Sequence, residues 1–289
     1  MSGSWTPLQD DNLIMITLLN GKTLAAELRQ ELKTKVALLP TTPKLGVILV
    51  GDDPASHLYV GLKQKAAAEV GIKIERVDFP NNTPAELIKN KLSEWNTRAD
   101  IHGILIQFPL PPHLNEHEIV AEMSPIKDAD GFHPENIKEF LSGAGGVTPG
   151  VSAGIMKLID LAKQNLVGKT AVLLANSAEF AQPLVKLLQD RKVTTRVINT
   201  PETEILIKSD IIITALGQPH IITGDMIKDG AIVIDVGTTK VGNVVQGDVD
   251  ANSLQSRNVY LTPVPGGVGP MTVVMLLWNV YRLAAGTKV

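Results

Sequence analysis

Short runs of apolar residues recur along the chain, and stretches with helical spacing separate them. The clearest run covers 44–51, where five apolar residues surround one glycine and a second glycine closes the run. This pattern is typical of a strand buried on both faces of a parallel sheet. In 22–38, Leu24, Leu28 and Leu32 recur every four positions, which predicts an amphipathic helix. The two patterns alternate through the chain and predict an α/β fold with right-handed crossovers.

The same reading predicts further elements. Strands are expected at 72–79, 101–108, 170–175, 194–199, 210–216 and 231–237. Helices are expected near 54–70, 83–95, 115–123, 135–142, 152–164 and 180–190, and after Met271. Thr83-Pro-Ala-Glu86 is a capping-box pattern and places a helix start at 83. The glycine-rich 143–146 interrupts the alternation and predicts a hinge between two α/β series.

Residues 262–272 contain three glycines and three prolines. Proline fixes φ and lacks an N–H, whereas glycine allows positive φ and close approach of the backbone to a ligand. The stretch lies between a short apolar run and an apolar, helix-like segment, so it is predicted to be a rigid loop between a strand and a helix. Such loops often bind ligands, although a tight connection is an equally good interpretation of these residues alone.

Composition narrows the function classes. A chain of 289 residues favours two domains, and a hydrophobic content of 44% with net charge −3 is ordinary for a globular protein. There is no basic excess, so no nucleic-acid partner is expected, and no apolar run is expected to span a membrane. Cysteine is absent and the six histidines are scattered, so no metal site is expected. Residues 1–17 are interpreted as a polar extension of a cytoplasmic protein.

Tyr59 and Lys63 are spaced i, i+4 and therefore share one helix face. A lysine in a half-buried site acquires a lowered pKa and then acts as an acid or a base. A surface lysine is the plainer interpretation of one such pair. Short-chain dehydrogenases have the same spacing, but after a glycine-rich first turn that this chain lacks.

Two further groups follow strands in the first half. Gln107 is the polar last residue of an apolar strand, where its amide either bonds a ligand or lysine or caps the sheet. Residues 127–134 read Lys-Asp-Ala-Asp-Gly-Phe-His-Pro. Their carboxylates suit a metal ion or the donor-rich edge of an amino-heterocycle, but the spacing fits no EF-hand loop. Open parallel sheets bind ligands at the carboxyl ends of their strands, where these groups are expected to lie.

In the second half, the strand at 170–175 leads into Ala-Asn-Ser-Ala-Glu-Phe-Ala-Gln-Pro at 175–183. The position is that of a nucleotide-binding turn at a helix N-terminus. The turn has no glycine and no Gly-x-Gly-x-x-Gly fingerprint, so these residues alone do not indicate a dinucleotide.

Four motifs in order strongly resemble the methylenetetrahydrofolate dehydrogenase/cyclohydrolase family, also called the FolD family. They are Gly-Asp-Asp-Pro-Ala-Ser at 51–56 with Tyr59 and Lys63, His-Gly-Ile-Leu-Ile-Gln-Phe-Pro-Leu-Pro at 102–111, the motif at 127–134 and the loop at 262–272. The resemblance runs from about residue 18 to the C-terminus. It disfavours a two-domain enzyme like shikimate dehydrogenase, which lacks the 262–272 loop.

The resemblance implies an α/β fold of two domains, with a folate-binding catalytic domain at 18–147 plus 270–289 and a Rossmann-like nucleotide domain at 148–269. The C-terminal helix is expected to pack back on the first domain, and the protein to be a homodimer. The implied reactions are NADP-dependent oxidation of 5,10-methylenetetrahydrofolate to the methenyl cation and its hydrolysis to 10-formyltetrahydrofolate. The substrate is therefore a tetrahydrofolate.

Carried over position by position, Lys63 is the catalytic lysine and Gln107 positions it. Tyr59 lines the folate site against the pterin, Asp130 bonds the amino-pyrimidine edge, and Gly269 and Pro270 border the folate. The implied cofactor-binding residues are Ala175, Asn176, Ser177, Thr200, Gly217 and Thr238.

The chain departs from the family mainly on the cofactor side. The family pattern at this turn is Gly-Arg-Ser-x-x-Val-Gly-x-Pro. In this chain Ala175 and Ala181 replace the two glycines, and Asn176 replaces the arginine. Each added methyl is expected where backbone approaches a pyrophosphate, and Asn176 cannot pair with the 2′-phosphate of NADP. NADP is therefore expected to bind weakly or to be replaced by NAD. Loss of the dehydrogenase half, leaving a cyclohydrolase, and a non-catalytic folate-binding paralogue are the alternatives.

Overall fold

The computed structural model describes residues 16–242 and 244–287. Most of the predicted extension, 1–15, lies outside the described residues. The strands are β1 (Ile16–Leu18), β2 (Lys44–Val50), β3 (Lys73–Phe79), β4 (Gly103–Ile106), β5 (Thr170–Ala175), β6 (Thr194–Ile198), β7 (Ile211–Ala215), β8 (Ile232–Asp235), β9 (Thr239–Val241), β10 (Val244–Gln246) and β11 (Val259–Leu261). The α-helices are α1 (Gly21–Val36), α2 (Pro54–Val70), α3 (Ala85–Thr97), α4 (Glu116–Glu122), α5 (Pro134–Ser142), α6 (Gly150–Asp160), α7 (Ala178–Asp190), α8 (Thr203–Leu206) and α9 (Val268–Ala285).

The first domain is built on a parallel sheet of order β3-β2-β4. Six of the seven residues of β2 are buried, as the continuous apolar run predicts for a central strand. A Cβ at Gly46 would lie 2.6 Å from the ring of Trp95, so this glycine leaves the space in which the indole of α3 packs on the sheet.

The second domain contains a six-stranded sheet of order β1-β11-β8-β7-β5-β6, and the pairings between these strands are parallel. The chain moves from β5 outward to β6 and then crosses back to β7 on the other side of β5. The carboxyl end of β5 is therefore a topological switch point, the place where open α/β sheets bind ligands. The predicted two-domain α/β architecture is confirmed.

Strand β1 was not predicted, and residues 16–17 were assigned to the extension. Instead Ile16–Leu18 pairs with β11, with Ile16 opposite Val259 and Leu18 opposite Leu261. The N-terminal segment thus joins the sheet of the second domain before α1 enters the first. Three residues are too few for periodicity to reveal a strand, so only the partner strand identifies it.

The predicted capping box at Thr83 is wrong. Helix α3 begins two residues later, with Pro84 as its N-cap and without a side-chain cap hydrogen bond. Thr83 is itself buried, and its carbonyl oxygen lies 3.0 Å from Nε2 of His113. The backbone before this helix is therefore held by a tertiary contact rather than by the local motif.

Helix α9 begins at Val268, earlier than predicted, so Gly269 and Pro270 lie in its first turn rather than in the loop. Proline is tolerated there because first-turn N–H groups have no intrahelical acceptor. Contrary to the expectation from sequence, this 18-residue helix with mean hydropathy 1.3 is long and apolar enough to cross a membrane. Its apolar side chains instead belong to the cores of both domains, with Met275 in the cluster of Ile155 and Leu277 in the cluster of Leu45.

Candidate active site

Helix α2 places Tyr59 and Lys63 beside the carboxyl ends of β2 and β4. Its start is fixed by Asp53, whose carboxylate accepts a 2.8 Å hydrogen bond from the backbone N–H of Ser56, and its end by Gly71 in the left-handed region (φ +85°). Tyr59 is 43% exposed, and Lys63 is partly buried. The aromatic ring is therefore accessible to a ligand beside a lysine that is partly withdrawn from water.

The predicted contact between Lys63 and Gln107 is present. The Lys63 ammonium donates a 2.8 Å hydrogen bond to Oε1 of Gln107. The amide of Gln107 is fixed in turn, since its Nε2 donates to the carbonyl of Phe108 at 2.6 Å and its side chain is only 7% exposed. A fixed amide that presents its oxygen to the amine restricts the rotamers of the flexible lysine.

The charges of Lys63 and Asp130 influence each other, and burial opposes the ionisation of both groups. Burial lowers the pKa of Lys63, and the negative charge of Asp130 opposes that shift. Burial raises the pKa of Asp130, against the influence of Lys63. Removal of water favours the neutral form of both side chains. A proton therefore exchanges more readily between these groups and a bound molecule than it would if both side chains were exposed to solvent.

The other residues of the 127–134 motif stabilise the loop. The buried Lys127 ammonium donates to the carbonyls of Trp95 (2.7 Å) and Arg98 (2.6 Å) at the end of α3. The buried carboxylate of Asp128 accepts hydrogen bonds from Gly131 N, His133 N and Asn136 Nδ2, each within 2.9 Å. The carboxylate of Asp128 is therefore used within the loop, and Asp130 is the carboxylate of this motif whose charge acts on Lys63. Within the described residues no group of three His, Cys, Asp or Glu side chains has the arrangement of a metal site.

The loop that follows β11 packs against the start of α1. The backbone N–H of Lys22 donates to the carbonyl of Gly266 at 2.8 Å, and a Cβ on Gly21 would lie 1.9 Å from the carbonyl oxygen of Gly267. By contrast, nothing lies within 4 Å of a Cβ built on Gly269, which is exposed. The loop is fixed on the side of α1 and open at Gly269, where a ligand has room to approach.

The predicted cofactor residues gather at one edge of the second sheet. Asn176 and Ser177 follow β5, Thr200 follows β6, Gly217 follows β7 and Thr238 follows β8. These strands are parallel, so their carboxyl ends share an edge. The side chains of Asn176, Ser177, Thr200 and Thr238 are exposed there.

The two alanines of the turn do not behave as expected from sequence. Ala175 and Ala181 are 7% and 3% exposed and belong to the hydrophobic core that includes Leu173 and Leu184. Neither has a positive φ. Their methyl groups are therefore packed inside the domain, and the expectation that they occupy the pyrophosphate's space is wrong.

Two buried aspartates, which sequence reasoning did not assign a role, shape the same edge. Asp235 accepts hydrogen bonds from Gly237 N, Asp248 N and Val249 N at 2.9–3.0 Å. Asp248 accepts from Thr214 Oγ1, Leu216 N and Gln218 N at 2.7–2.8 Å. Burial raises the pKa of Asp235 to about 6, and the charge of Asp248 adds to this. The two carboxylates thus fix the loops after β7 and β8. The sequence signal that could have identified them is a polar residue at the end of an apolar strand run.

Comparison with known proteins supports this arrangement. Residues 19–130 match the family model of the tetrahydrofolate dehydrogenase/cyclohydrolase catalytic domain, and residues 149–288 match its NAD(P)-binding domain. The second match includes α9, which the sequence analysis placed with the first domain. The chain is 40% identical over 278 residues to the bifunctional protein FolD of Nitratiruptor sp., covering 94% of this chain and 99% of that protein.

Solved structures agree with the fold. The bifunctional enzyme FolD of Campylobacter jejuni superposes with a TM-score of 0.90 at 38% identity, covering 94% of this chain and 99% of that one. The FolD of Trypanosoma brucei, solved with NADP cofactor and an inhibitor, has a TM-score of 0.89 at 33% identity, with 94% and 98% covered.

Proposed function

Because this chain belongs to the tetrahydrofolate dehydrogenase/cyclohydrolase family, we propose that Lys63, Gln107 and Asp130 carry both reactions of that family. The protein is a bifunctional enzyme of one-carbon folate metabolism. It oxidises 5,10-methylenetetrahydrofolate to the methenyl cation with NAD(P) and hydrolyses that cation to 10-formyltetrahydrofolate. The hydrogen bond of 2.8 Å between Lys63 and Gln107, together with the influence of Asp130 on the pKa of that lysine, is the observation that supports this assignment.

Hydrolysis requires a water molecule to add to the cationic carbon and to lose a proton. An amine whose pKa is lowered by burial has a larger neutral fraction and accepts that proton. Gln107 keeps the amine directed at the reacting carbon, because its oxygen accepts from Lys63. A partly neutral lysine also tolerates a cationic substrate, since two adjacent positive charges in a desolvated site repel each other.

The pterin is proposed to lie against Tyr59, with its amino-pyrimidine edge on Asp130. The exposed ring of Tyr59 offers a stacking surface, and a carboxylate accepts from the N–H groups of that edge. Gly269 and Pro270 border the folate at the open start of α9.

The second domain fits a dinucleotide, because the turn after β5 is exposed at the switch point of the sheet and its alanine methyls are buried. When bound, NAD(P) accepts the hydride of the oxidation. Ala175, Asn176, Ser177, Thr200, Gly217 and Thr238 are the residues proposed to hold it. Asn176 offers an amide rather than a cation to a 2′-phosphate, and a lost charged hydrogen bond typically costs roughly 1.5–3 kcal/mol. NAD is therefore the proposed preference.

A homodimer is proposed as well. The hairpin of β9 and β10 exposes Val241, Val244 and Val245 by 46%, 60% and 37%, an apolar surface that suits a second copy. Light scattering of the purified protein measures the assembly. The cytoplasmic location, and the absence of nucleic-acid and membrane partners, stay predictions that cell fractionation and binding assays test.

The Lys63→Met variant tests the proposed catalytic role. We expect it to abolish hydrolysis of 5,10-methenyltetrahydrofolate without nucleotide, and reduction of NAD or NADP by 5,10-methylenetetrahydrofolate, while folate binding persists. The matched control is Lys65→Met, which removes an exposed lysine from the same helix and should leave both rates unchanged.

Wild-type hydrolysis without reduction of either nucleotide would favour a cyclohydrolase alone. Absence of both activities in folded wild-type protein would favour a folate-binding paralogue. Activity of Lys63→Met near the wild-type level would refute the assignment of Lys63.

A further inference from the structure

Glu179 places a negative charge where a nucleotide-binding turn ordinarily receives an anion. It is the second residue of α7, directly after the exposed turn at Asn176 and Ser177. The N–H groups of the first helical turn and the helix dipole together make such a terminus favourable for phosphate. In this chain an exposed carboxylate already lies in that field.

Hydrogen bonds hold this carboxylate at the turn. Oγ of Ser177 donates to Oε2 of Glu179 at 2.8 Å and accepts from the N–H of Phe180 at 3.2 Å. The backbone N–H of Glu179 also donates to its own carboxylate and, as the largest of several causes, lowers the pKa of that group. Two N–H groups that could bind a phosphate are therefore used within the protein.

The side chains of the turn provide no positive charge to offset the negative charge of Glu179. Asn176, Ala178 and Thr200 are neutral side chains at this edge. His117 on α4 of the first domain also lowers the pKa of this carboxylate, but less than the hydrogen bonds of the turn do. An incoming pyrophosphate thus meets a carboxylate that none of these side chains of the turn neutralises.

From this geometry we infer that Glu179 occupies the pyrophosphate position of the free enzyme and sets how tightly any dinucleotide binds, whereas Asn176 sets the preference between NAD and NADP. The inference rests on the proposed role of this turn in nucleotide binding. The pyrophosphate is common to both dinucleotides, so the carboxylate must weaken both. The 2′-phosphate belongs to NADP alone, so a change at Asn176 must alter the ratio.

The test compares Glu179→Gln with wild type by calorimetric titration of NAD and of NADP. Glutamine keeps the length of the side chain and its contact with Ser177 but removes the charge. We expect both dissociation constants to fall about tenfold in about 0.15 M salt, the ratio that about 1.4 kcal/mol gives at 25 °C. In about 1 M salt, where the screening length is about 3 Å, the gain should shrink to a small factor.

The matched control is Asp190→Asn, which removes the same charge from the opposite end of α7. That residue lies about 17 Å away along the helix axis, beyond the screening length at physiological salt. Its affinities should equal those of wild type. Asn176→Arg should tighten NADP and leave NAD unchanged.

Dissociation constants of Glu179→Gln within about twofold of wild type for both nucleotides would overturn the inference. So would an equal gain in Asp190→Asn, or a gain for NADP only. If wild type reduces a nucleotide and Glu179→Gln gains nothing, the inference fails and the proposed function stands. If no nucleotide binds to wild type or to any of these variants while hydrolysis persists, the dehydrogenase proposal fails and the inference fails with it.

Discussion

Replacing Asn279 with leucine removes a polar link between α9 and the loop that carries Asp130. Asn279 is 1% exposed in a largely apolar helix. Its Nδ2 donates two hydrogen bonds of 3.0 Å, to the carbonyl of Ala129 and to the carbonyl of Thr148. The side chain thus joins the loop that carries Asp130, the segment at Thr148 and the C-terminal helix.

The expected cost follows from these two bonds. A buried carbonyl left without a donor costs about 1–3 kcal/mol, so the two carbonyls together cost about 2–6 kcal/mol, and burial of the more apolar leucine offsets part of this. Leucine fills a similar volume, so cavity formation adds little. We expect Asn279→Leu to lower the free energy of unfolding by about 2–4 kcal/mol and to raise the KM for the folate, because Ala129 precedes Asp130 directly.

Urea denaturation and calorimetry measure the stability, and hydrolysis of 5,10-methenyltetrahydrofolate measures the KM. Asn279→Asp should be more damaging than leucine, since it buries a charge that cannot donate to either carbonyl. The control Asn90→Leu changes an exposed asparagine on α3 and should stay within about 0.5 kcal/mol. A loss below about 1 kcal/mol for Asn279→Leu, or a milder effect of aspartate, would refute the reasoning.

Two further predictions concern Asp235 and Gly269. Burial raises the pKa of Asp235 from 3.8 to about 6. Its contribution to stability is therefore complete below about pH 4 and is lost as the pH rises through about 6, by about 3 kcal/mol for this shift. Asp235→Asn should remove that part of the pH dependence from urea denaturation curves recorded between pH 4 and 7, and an unchanged slope would contradict it. Gly269→Ala adds a methyl to an open helical position, so thermal denaturation should show a gain of about 0.5–1 kcal/mol; the same methyl should raise the KM for the folate, and an unchanged KM would remove Gly269 from the site.

Local patterns predicted the elements that are long and strongly patterned. The apolar run of β2 and the proline and glycine boundaries of α2 carry their structural information within a few residues. The Lys63–Gln107 contact was implied by the family resemblance, whereas the residues alone left a ligand, a lysine or a sheet-end cap open for Gln107. The roles of Lys63, Gln107 and Asp130 in catalysis stay predictions.

Long-range packing decided the features that the sequence did not reveal. Only the neighbouring core shows that the methyl of Ala181 points inward, and only the end of α3 shows that Lys127 is a buried structural cation. Asp128 and Asp130 are two residues apart and chemically identical, yet the carboxylate of Asp128 is bonded within the loop whereas the pKa of Asp130 is influenced by Lys63. Glu179 gained significance from the side chain of Ser177 and from His117 of the other domain.

The pairing of β1 with β11 has a consequence for biosynthesis. Ile16 emerges from the ribosome first, and its partner Val259 follows about 240 residues later. At roughly 5–20 residues per second, this strand waits roughly 12–50 s for the edge it will complete. The first domain, whose three strands lie between Lys44 and Ile106, has its sheet residues synthesised well before that moment. The six-stranded sheet of the second domain is therefore completed only near the end of synthesis, when β1, which is made early, pairs with β11, which is made late.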